Sequence, residues 1–543
     1  MAHAELPASV DALQELVRQQ QAQLEAKNLD LDAKQSTIDA TQTQLDALRE
    51  QISFLEEWNR LLRSQKYGAR SEKIPPEQGR LFNEAELDAG TNENDEPDES
   101  EIAVPAHTRR KQGRRPLPDF LPVEEHLHDL PEEKKVCGND ASHRLVEIGR
   151  ESSDQLKFIP VTVAIVRHIR PKYACPKCKD GVRIAPMPKL PIPKSLATPS
   201  LLAHVATSKY VDALPLHRQE KIFARLGVDL ARGTLASWMV KMGELVEPLV
   251  ERIAHEIRSG SFVQADETPF QVLKEPGKSA QSRSYLWVLR GGDCDHPLLY
   301  YAYDPTRSAE VPKRLLRGFA GFLQTDGYEG YTALGSEPGI VHVGCWAHTR
   351  RKFDEALRGQ GKSKKKGAKR TAKESRARQA LSQIQALYRI ERELKGVPPD
   401  ERYAARQLRS KPLLEKLREW LDASLGTVPP QSLTGKALHY LNGQWPKLVR
   451  VLDDGRIPLD TNLVENAIRP FVIGRKNWLF ADTVAGARAS ANLYGLIETA
   501  KANGIEPGRY LAHLFEVLPT ITSADQLDAL LPQNLDRERL RAS

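Results

Sequence analysis

Apolar side chains return every seventh residue near the start of the chain, at Val17, Leu24, Leu31, Ile38, Leu45 and Ile52. Leu48, Leu55 and Leu62 add a second seam three positions on. A sustained heptad of this kind predicts a coiled coil over residues 8–66, closed as a homodimer by a second copy of the chain. In its first half the second seam is polar, with Gln20, Lys27, Lys34 and Thr41, so a lone amphipathic helix satisfies the same pattern. The periodicity then stops. Residues 67–118 read as a linker, acidic through EAELDAGTNENDEPDESE (84–101) and ending in the basic stretch RRKQGRRPLP (109–118). There Arg109, Arg110, Arg114 and Arg115 either lie along DNA phosphates and a narrow minor groove or form a solvated charge run.

Helical spacing resumes in residues 195–250. Ile222, Phe223 and Leu226 form one apolar face, Gly227 stops that helix, Asp229 is placed to cap the next, and Leu235, Trp238 and Met239 continue it. This is helix-turn-helix spacing, with Arg232, Thr234, Ser237 and Lys241 as the groove contacts, although a helical hairpin that only packs has the same pattern. A second block, LSQIQALYRIERELKG (381–396) and LLEKLREWLDASLG (413–426), predicts a helical insertion over 351–454 led by the basic loop GKSKKKGAKR (361–370). Residues 486–543 read as a C-terminal helical region.

Between these blocks two strand-like runs end in aspartate: SFVQAD closes at Asp266 and GFLQTD at Asp326. Glu465, in TNLVENAIRP, lies in a helical window, because Asn462, Glu465 and Arg469 share a face until Pro470 interrupts. Two strand ends and a helix that aim carboxylates at one place suit metal-assisted phosphoryl transfer. Attack on a phosphodiester needs an activated oxygen and a stabilised leaving oxygen, which two Mg²⁺ ions roughly 4 Å apart serve together, with Mn²⁺ able to substitute.

Cys175 and Cys178 form CPKC, half of a structural Zn²⁺ ribbon, and Cys137 lies upstream in the same stretch, 119–185. In CWAH, Cys345 and His348 are two ligands without a matching pair, so this stretch reads as a strand followed by a helix carrying Arg350, Arg351 and Lys352 toward the substrate backbone. After Glu465, Arg469, Arg475 and Lys476 form a basic path. Trp478, beside Asn477, either stacks on an unpaired base or is ordinary core.

Composition narrows the class further. The chain has 543 residues, 28% charged, a net charge of +7 and five cysteines, which describes a multidomain protein rather than a disulfide framework. No apolar run is long enough to cross a membrane, and MAHAELPASV lacks a signal-peptide pattern, so a cytoplasmic location is expected.

Five motifs in order, QADETPF (264–270), TDGYEGY (325–331), GCWAHTRRKF (344–353), ENAIRPFVIGRKNWLF (465–480) and LIETAKANGIEP (496–507), resemble the insertion-sequence 66 family of bacterial transposases. The likeness runs from about residue 120 to about residue 515, and KYGARSEK (66–73) is similar to a basic motif that follows the family's zipper. The resemblance implies a multidomain α/β protein: an N-terminal coiled coil, small zinc-ribbon-like and helix-turn-helix modules, and a ribonuclease-H-like core over 258–350 and 455–485. It implies Asp266, Asp326 and Glu465 as a DDE triad that holds Mg²⁺. The implied partners are double-stranded DNA, as the element's terminal repeats and as target, and accessory element-encoded proteins, with the protein associated with the bacterial nucleoid. Where the family supplies a second CxxC, this chain reads CGNDASH (137–143), so the fourth zinc ligand is His143 or Asp140, or the module is metal-free. The function implied is strand cleavage and strand transfer; an inactive DNA-binding scaffold and a nuclease without joining are the alternatives.

Overall fold

The computed structural model describes residues 10–67, 163–169, 172–174, 182–184, 187–293, 295–360 and 375–535. Cys137, His143, Cys175 and Cys178, the arginines at 109, 110, 114 and 115, and the basic loop 361–370 lie outside the described residues. The heptads form one helix, α1 (Val10–Tyr67), and its seam residues Val17, Leu24, Leu31, Ile38 and Leu45 are exposed in the single chain. The C-terminal end of α1 docks. Leu61 is buried among the helices of the insertion, and the Glu57 carboxylate accepts the backbone N–H of Leu433 at 3.0 Å. Residues 93–185 form a separate unit, in which β1 (Lys172–Ala174) and β2 (Val182–Ile184) pair antiparallel.

Three helices precede the main sheet: α2 (Pro199–Tyr210), α3 (Leu216–Arg225) and α4 (Arg232–Ser259). Gly227 has φ +79°, a backbone that glycine adopts freely, so the predicted stop after α3 is in place. Asp229, however, does not cap α4; the helix starts after Ala231, and Glu220 accepts the Arg232 N–H at 2.9 Å instead. Nor is α4 a short recognition helix. Leu235, Trp238 and Met239 continue into Met242, Val246, Leu249, Ile253 and Ile257 as one buried stripe, which carries the helix on to Ser259. Arg232, Ser237 and Lys241 are exposed on its other side.

The sheet is mixed. Its strands are β3 (Phe262–Lys274), β4 (Arg283–Gly292), β5 (Pro297–Asp304), β6 (Gly321–Gln324) and β7 (Ile340–Val343), in the order β5-β4-β3-β6-β7. The first three pair antiparallel, whereas β6 runs parallel to β3 and β7 parallel to β6. A short helix, α5 (Glu310–Leu315), joins β5 to β6. The predicted insertion is helical, comprising α6 (Trp346–Gln360), α7 (Arg376–Glu393), α8 (Pro399–Leu425) and α9 (Leu433–Leu448). The chain then returns through α10 (Asn462–Trp478), β8 (Ala481–Thr483), which pairs with the far end of β3, α11 (Val484–Ala502), α12 (Pro507–Val517) and α13 (Ala524–Asp528).

Two apolar clusters hold these layers. One joins α2, α4, α10, α11 and α12 to the sheet, and the other is built by the insertion with Val343, Trp346 and Leu61. A single buried arginine fastens the insertion to the segment that leads into α10. Arg406 of α8 is wholly buried and donates to both Glu391 carboxylate oxygens (2.7 and 2.8 Å) and to the carbonyls of Val451, Asp454 and Ile457 (2.8, 2.9 and 2.7 Å). Every guanidinium N–H is thereby used, and removing it would take the donor from three carbonyls and from Glu391 Oε1, although Arg402 would still hold Glu391 Oε2 at 2.6 Å.

Arg406→Met is therefore expected to cost about 3 kcal/mol of unfolding free energy, from three carbonyls each losing a donor at about 1 kcal/mol or more, read by denaturant titration. A pH effect is expected from His342 on β7. Its Nε2 lies 2.8 Å from Thr325 Oγ1, and burial, helped by the Lys447 charge, lowers its pKa to about 4. The unfolded chain takes up that proton first, so the stability His342 confers is full above its ordinary pKa and drains away as pH falls toward 4. Between pH 7 and pH 5 this amounts to about 2 kcal/mol, and His342→Gln should flatten the acid side of the melting curve by that amount.

Candidate active site

Even-numbered side chains near the start of β3 share one face. Phe262 packs against the insertion cluster, Phe270 meets Phe471 of α10 edge to face at 5.0 Å, and Asp266 lies between them. Asp266 is thus inside a 13-residue strand, not at its end, because Glu267 opposite Trp287 and the pairs beyond it, to Gln271 opposite Arg283, extend the ladder with β4. Its Oδ1 accepts the backbone N–H of Glu267 at 2.8 Å. Asp326 stands two residues beyond β6, as expected, and its Oδ1 accepts the Tyr328 N–H at 2.9 Å, which fixes the turn. A Cβ at Gly327 would come within 2.4 Å of the Tyr440 hydroxyl, so a larger residue there would need that ring to move.

Glu465 sits in the first turn of α10 and is 8% exposed. Pro470 does not interrupt the helix, which runs on to Trp478. Val464, Ala467, Ile468 and Phe471 bury one stripe through the proline, and Asn466, whose carbonyl loses its partner, is on the exposed side. Thr461 Oγ1 donates to Glu465 Oε1 at 2.9 Å and lies 3.3 Å from Cys345 Sγ. His348 Nδ1 is 3.2 Å from that sulfur and 3.7 Å from Glu465 Oε1, while Arg351 approaches Oε2 at 3.9 Å.

The acids converge. Burial pushes the Asp266 carboxyl well above the usual carboxylate range, and the charges of Glu267, Glu465 and Asp326 push it further. Carboxylates held together out of water repel one another, and a divalent cation between them would turn that repulsion into attraction; all-oxygen donors suit Mg²⁺ or Mn²⁺. Among the described residues, the group of three ligand atoms within 4.8 Å of one another is Cys345, His348 and Glu465; the three acids are more widely spaced. Burial, with the Asp460 and Glu465 charges, pushes the Cys345 thiol up to about 12, so it is a neutral neighbour of Glu465 and not a thiolate.

A second ring of contacts was not legible beforehand. Glu267, next to Asp266, points inward, where Arg307 grips Oε1 (2.8 and 2.5 Å) and the Tyr331 hydroxyl donates to Oε2 at 2.6 Å. Arg307 also lies over the Tyr328 ring at 3.7 Å, which ties this acid to the Asp326 turn. Beneath the two aspartates, Gln264 and Gln324 are completely buried. Gln264 Nε2 donates to Gln324 Oε1 (2.8 Å) and to the Asp460 carbonyl (3.0 Å), and Gln324 Nε2 donates to the carbonyls of Pro458 (2.8 Å) and Gly344 (3.2 Å). From the insertion, the Tyr388 hydroxyl reaches Asp460 Oδ2 at 2.8 Å, and Asp460 Oδ1 accepts the Asn462 N–H at 3.1 Å, at the start of α10. The available signal was the repeated Gln two residues before each aspartate, in SFVQAD and GFLQTD.

The basic residues divide into surface and interior. Arg351 and Lys352 are exposed on α6, whereas Arg350 is buried, because its position falls on the inner face with Trp346 and Phe353. Lys476 is exposed and Arg469 is half-buried. Arg475 turns inward to donate to the Pro269 carbonyl. Trp478 is half-buried at the edge of the core, packing edge to face on Phe471 (5.3 Å) and Phe270 (5.9 Å).

Comparisons with known proteins match most of the chain to one family. Residues 194–489 match the Transposase IS66 family, 495–533 the IS66 C-terminal element, and 134–179 the zinc-finger binding domain of transposase IS66. Residues 54–125 match a segment described as Transposase C of IS166 homeodomain. Two uncharacterized proteins of Sinorhizobium fredii (strain NBRC 101917 / NGR234) are each 33% identical to this chain. They are y4qI, over 88% of this chain and 87% of its own length, and y4jD, over 86% and 92%. A third from that organism, y4hP, is 28% identical over 84% of this chain. With both the match that spans the acids and relatives similar over most of its length, the chain belongs to the IS66 family of transposases.

Proposed function

We propose that this transposase binds the terminal inverted repeats of an insertion sequence and catalyses cleavage and strand transfer at Asp266, Asp326 and Glu465. The observation that carries this reading is that the strands leading to Asp266 and Asp326 are joined through Gln264 and Gln324, whose amides also bond to the segment leading to Glu465, and that Glu465 and Asp326 are near enough to push the Asp266 carboxyl up. The sheet, with three antiparallel strands followed by two parallel ones, is read as the ribonuclease-H-like core. Asp266 and Asp326 are offered from adjacent parallel strands, and Glu465 from the helix opposite.

Two divalent cations, Mg²⁺ or Mn²⁺, would activate the attacking oxygen and neutralise the leaving one. The chain's own part is to hold three carboxylates apart at fixed positions while excluding bulk water. Water first attacks a phosphodiester at the element end, breaking the bond to the 3′ oxygen and leaving a 3′-hydroxyl and a 5′-phosphate. That hydroxyl then attacks a target phosphodiester in line, one P–O bond forming as another breaks, with no covalent protein intermediate. Arg351, exposed beside Glu465, is placed to meet the DNA backbone, and exposed Arg232, Lys241 and Lys476 extend the basic surface.

The remaining parts are assigned accordingly. The exposed seam of α1 closes on a second copy, so that two element ends are held together. Cys175 and Cys178, with Cys137 and His143, would hold a structural Zn²⁺ in the zinc-finger segment. The protein acts in the bacterial cytoplasm on the nucleoid; among the described residues no helix is long and apolar enough to cross a membrane.

Incubated with Mg²⁺ and DNA bearing the element ends, the intact protein should nick at the ends and join the freed 3′-end to target, and Asp266→Asn should do neither while binding DNA as well as the parent. Nicking without joining would identify a nuclease. Specific binding with no product from either protein would favour a scaffold.

A further inference from the structure

The paired glutamines below the acids have no role in the chemistry just described, yet their placement is systematic. A strand repeats its face every two residues, so Gln264 lies directly below Asp266 on the same face of β3. Gln324, the last residue of β6, precedes Asp326 by the same interval, and the two glutamines are register partners across the parallel pair. Their amides join at 2.8 Å, and the other N–H groups reach the carbonyls of Asp460, Pro458 and Gly344. The first two carbonyls belong to the segment that delivers α10 and Glu465. The third precedes Cys345, whose sulfur meets Thr461 next to the glutamate.

We propose that Gln264 and Gln324 are positioning residues for the divalent-metal centre: one buried amide ladder sets the separation of all three acid-bearing arms. This rests on the reading of Asp266, Asp326 and Glu465 as metal ligands. The strands under the two aspartates are joined to each other by backbone bonds, but the third arm arrives after the insertion, from an element that does not pair with β3 or β6 in the sheet. One backbone bond, from the Trp346 N–H to the Leu459 carbonyl (3.0 Å), ties this arm to the chain just beyond β7; against β3 and β6 its height is set by side chains, and the four amide N–H bonds link both strands and the third arm. The ladder is also not what packing alone would select. Two amides with no exposure occupy a position where apolar side chains would serve the core, and Gln264 Oε1 is left without a hydrogen-bond partner. An arrangement that leaves a buried acceptor unsatisfied while spending every N–H on the three arms fits a geometric requirement better than a stabilising one.

The test is titration of the full-length protein with Mn²⁺ alone, followed by the loss of the free-ion electron paramagnetic resonance signal. Wild type is compared with Gln264→Met, Gln324→Met and Asp326→Asn, with circular dichroism and DNA affinity checked for each. Methionine keeps length and volume but removes the amide. Each glutamine variant, folded and binding DNA normally, should bind Mn²⁺ about 10- to 100-fold more weakly, the range for loss of a group that orients metal ligands. The double variant should lose little more than either single, since both act through one ladder. Wild-type Mn²⁺ affinity in the glutamine variants, with affinity lost in Asp326→Asn, overturns the positioning role and leaves the metal centre standing. Unchanged affinity in Asp326→Asn overturns the metal centre and the proposal with it. If the methionine variants do not fold, Gln264→Asn, whose shorter amide cannot reach both partners, is read by the same criteria.

Discussion

Mutual repulsion of carboxylates in a site short of water is the constraint around which this chain is organised. Asp266 feels Glu267, Glu465 and Asp326 together, and burial denies it the solvent that would screen them. Left to themselves such side chains would turn away or take up protons. The fold prevents the first by rooting each acid in a different rigid element: the interior of β3, a turn pinned just beyond β6, and the first turn of α10. It manages the fourth acid separately, since Glu267 faces the Arg307 guanidinium and the Tyr331 hydroxyl and is thereby spent on structure. On the proposed reading, what remains is a set of oxygen donors whose unfavourable charge would favour a divalent cation.

This view changes the standing of the helical insertion. It is not an appendage hung between the second and third acids. Its α8 contributes Arg406, which clamps the chain at Val451, Asp454 and Ile457, and its α7 contributes Tyr388, which holds Asp460 at the entrance to α10. Glu465 thus owes its place to the insertion as much as to the sheet. The C-terminal end of α1 rests on the same helices through Leu61 and Glu57, so the helix with the exposed apolar seam is attached to the body that sets the third acid.

Much of this was legible in the sequence because it depends on local pattern. The helix of the heptads, the stop at Gly227, the helices of the insertion and the helical setting of Glu465 appear where their spacing placed them. The misses have a common cause, which is that tertiary packing overruled local signals. Pro470 reads as a helix breaker, but the apolar stripe from Val464 to Phe471 holds α10 straight through it. Asp229 reads as a cap, but Glu220 of the preceding helix reaches the free N–H first. Asp266 reads as a strand end because its run is short, whereas pairing with β4 carries the strand well past it. Arg350 has the chemistry of a DNA contact, and only the direction of its helix face shows that it is buried. The glutamines before each aspartate were visible as letters, but their meaning required the register of β3 against β6.

The account stands or falls on whether one divalent centre joins the three acids. The most direct measurement is anomalous diffraction at the manganese edge from crystals of the DNA-bound protein soaked in Mn²⁺. The account predicts peaks bounded by the carboxylates of Asp266, Asp326 and Glu465. Peaks confined to Cys345 and His348, or an ordered site with DNA bound and no peak between the two aspartates, would contradict it.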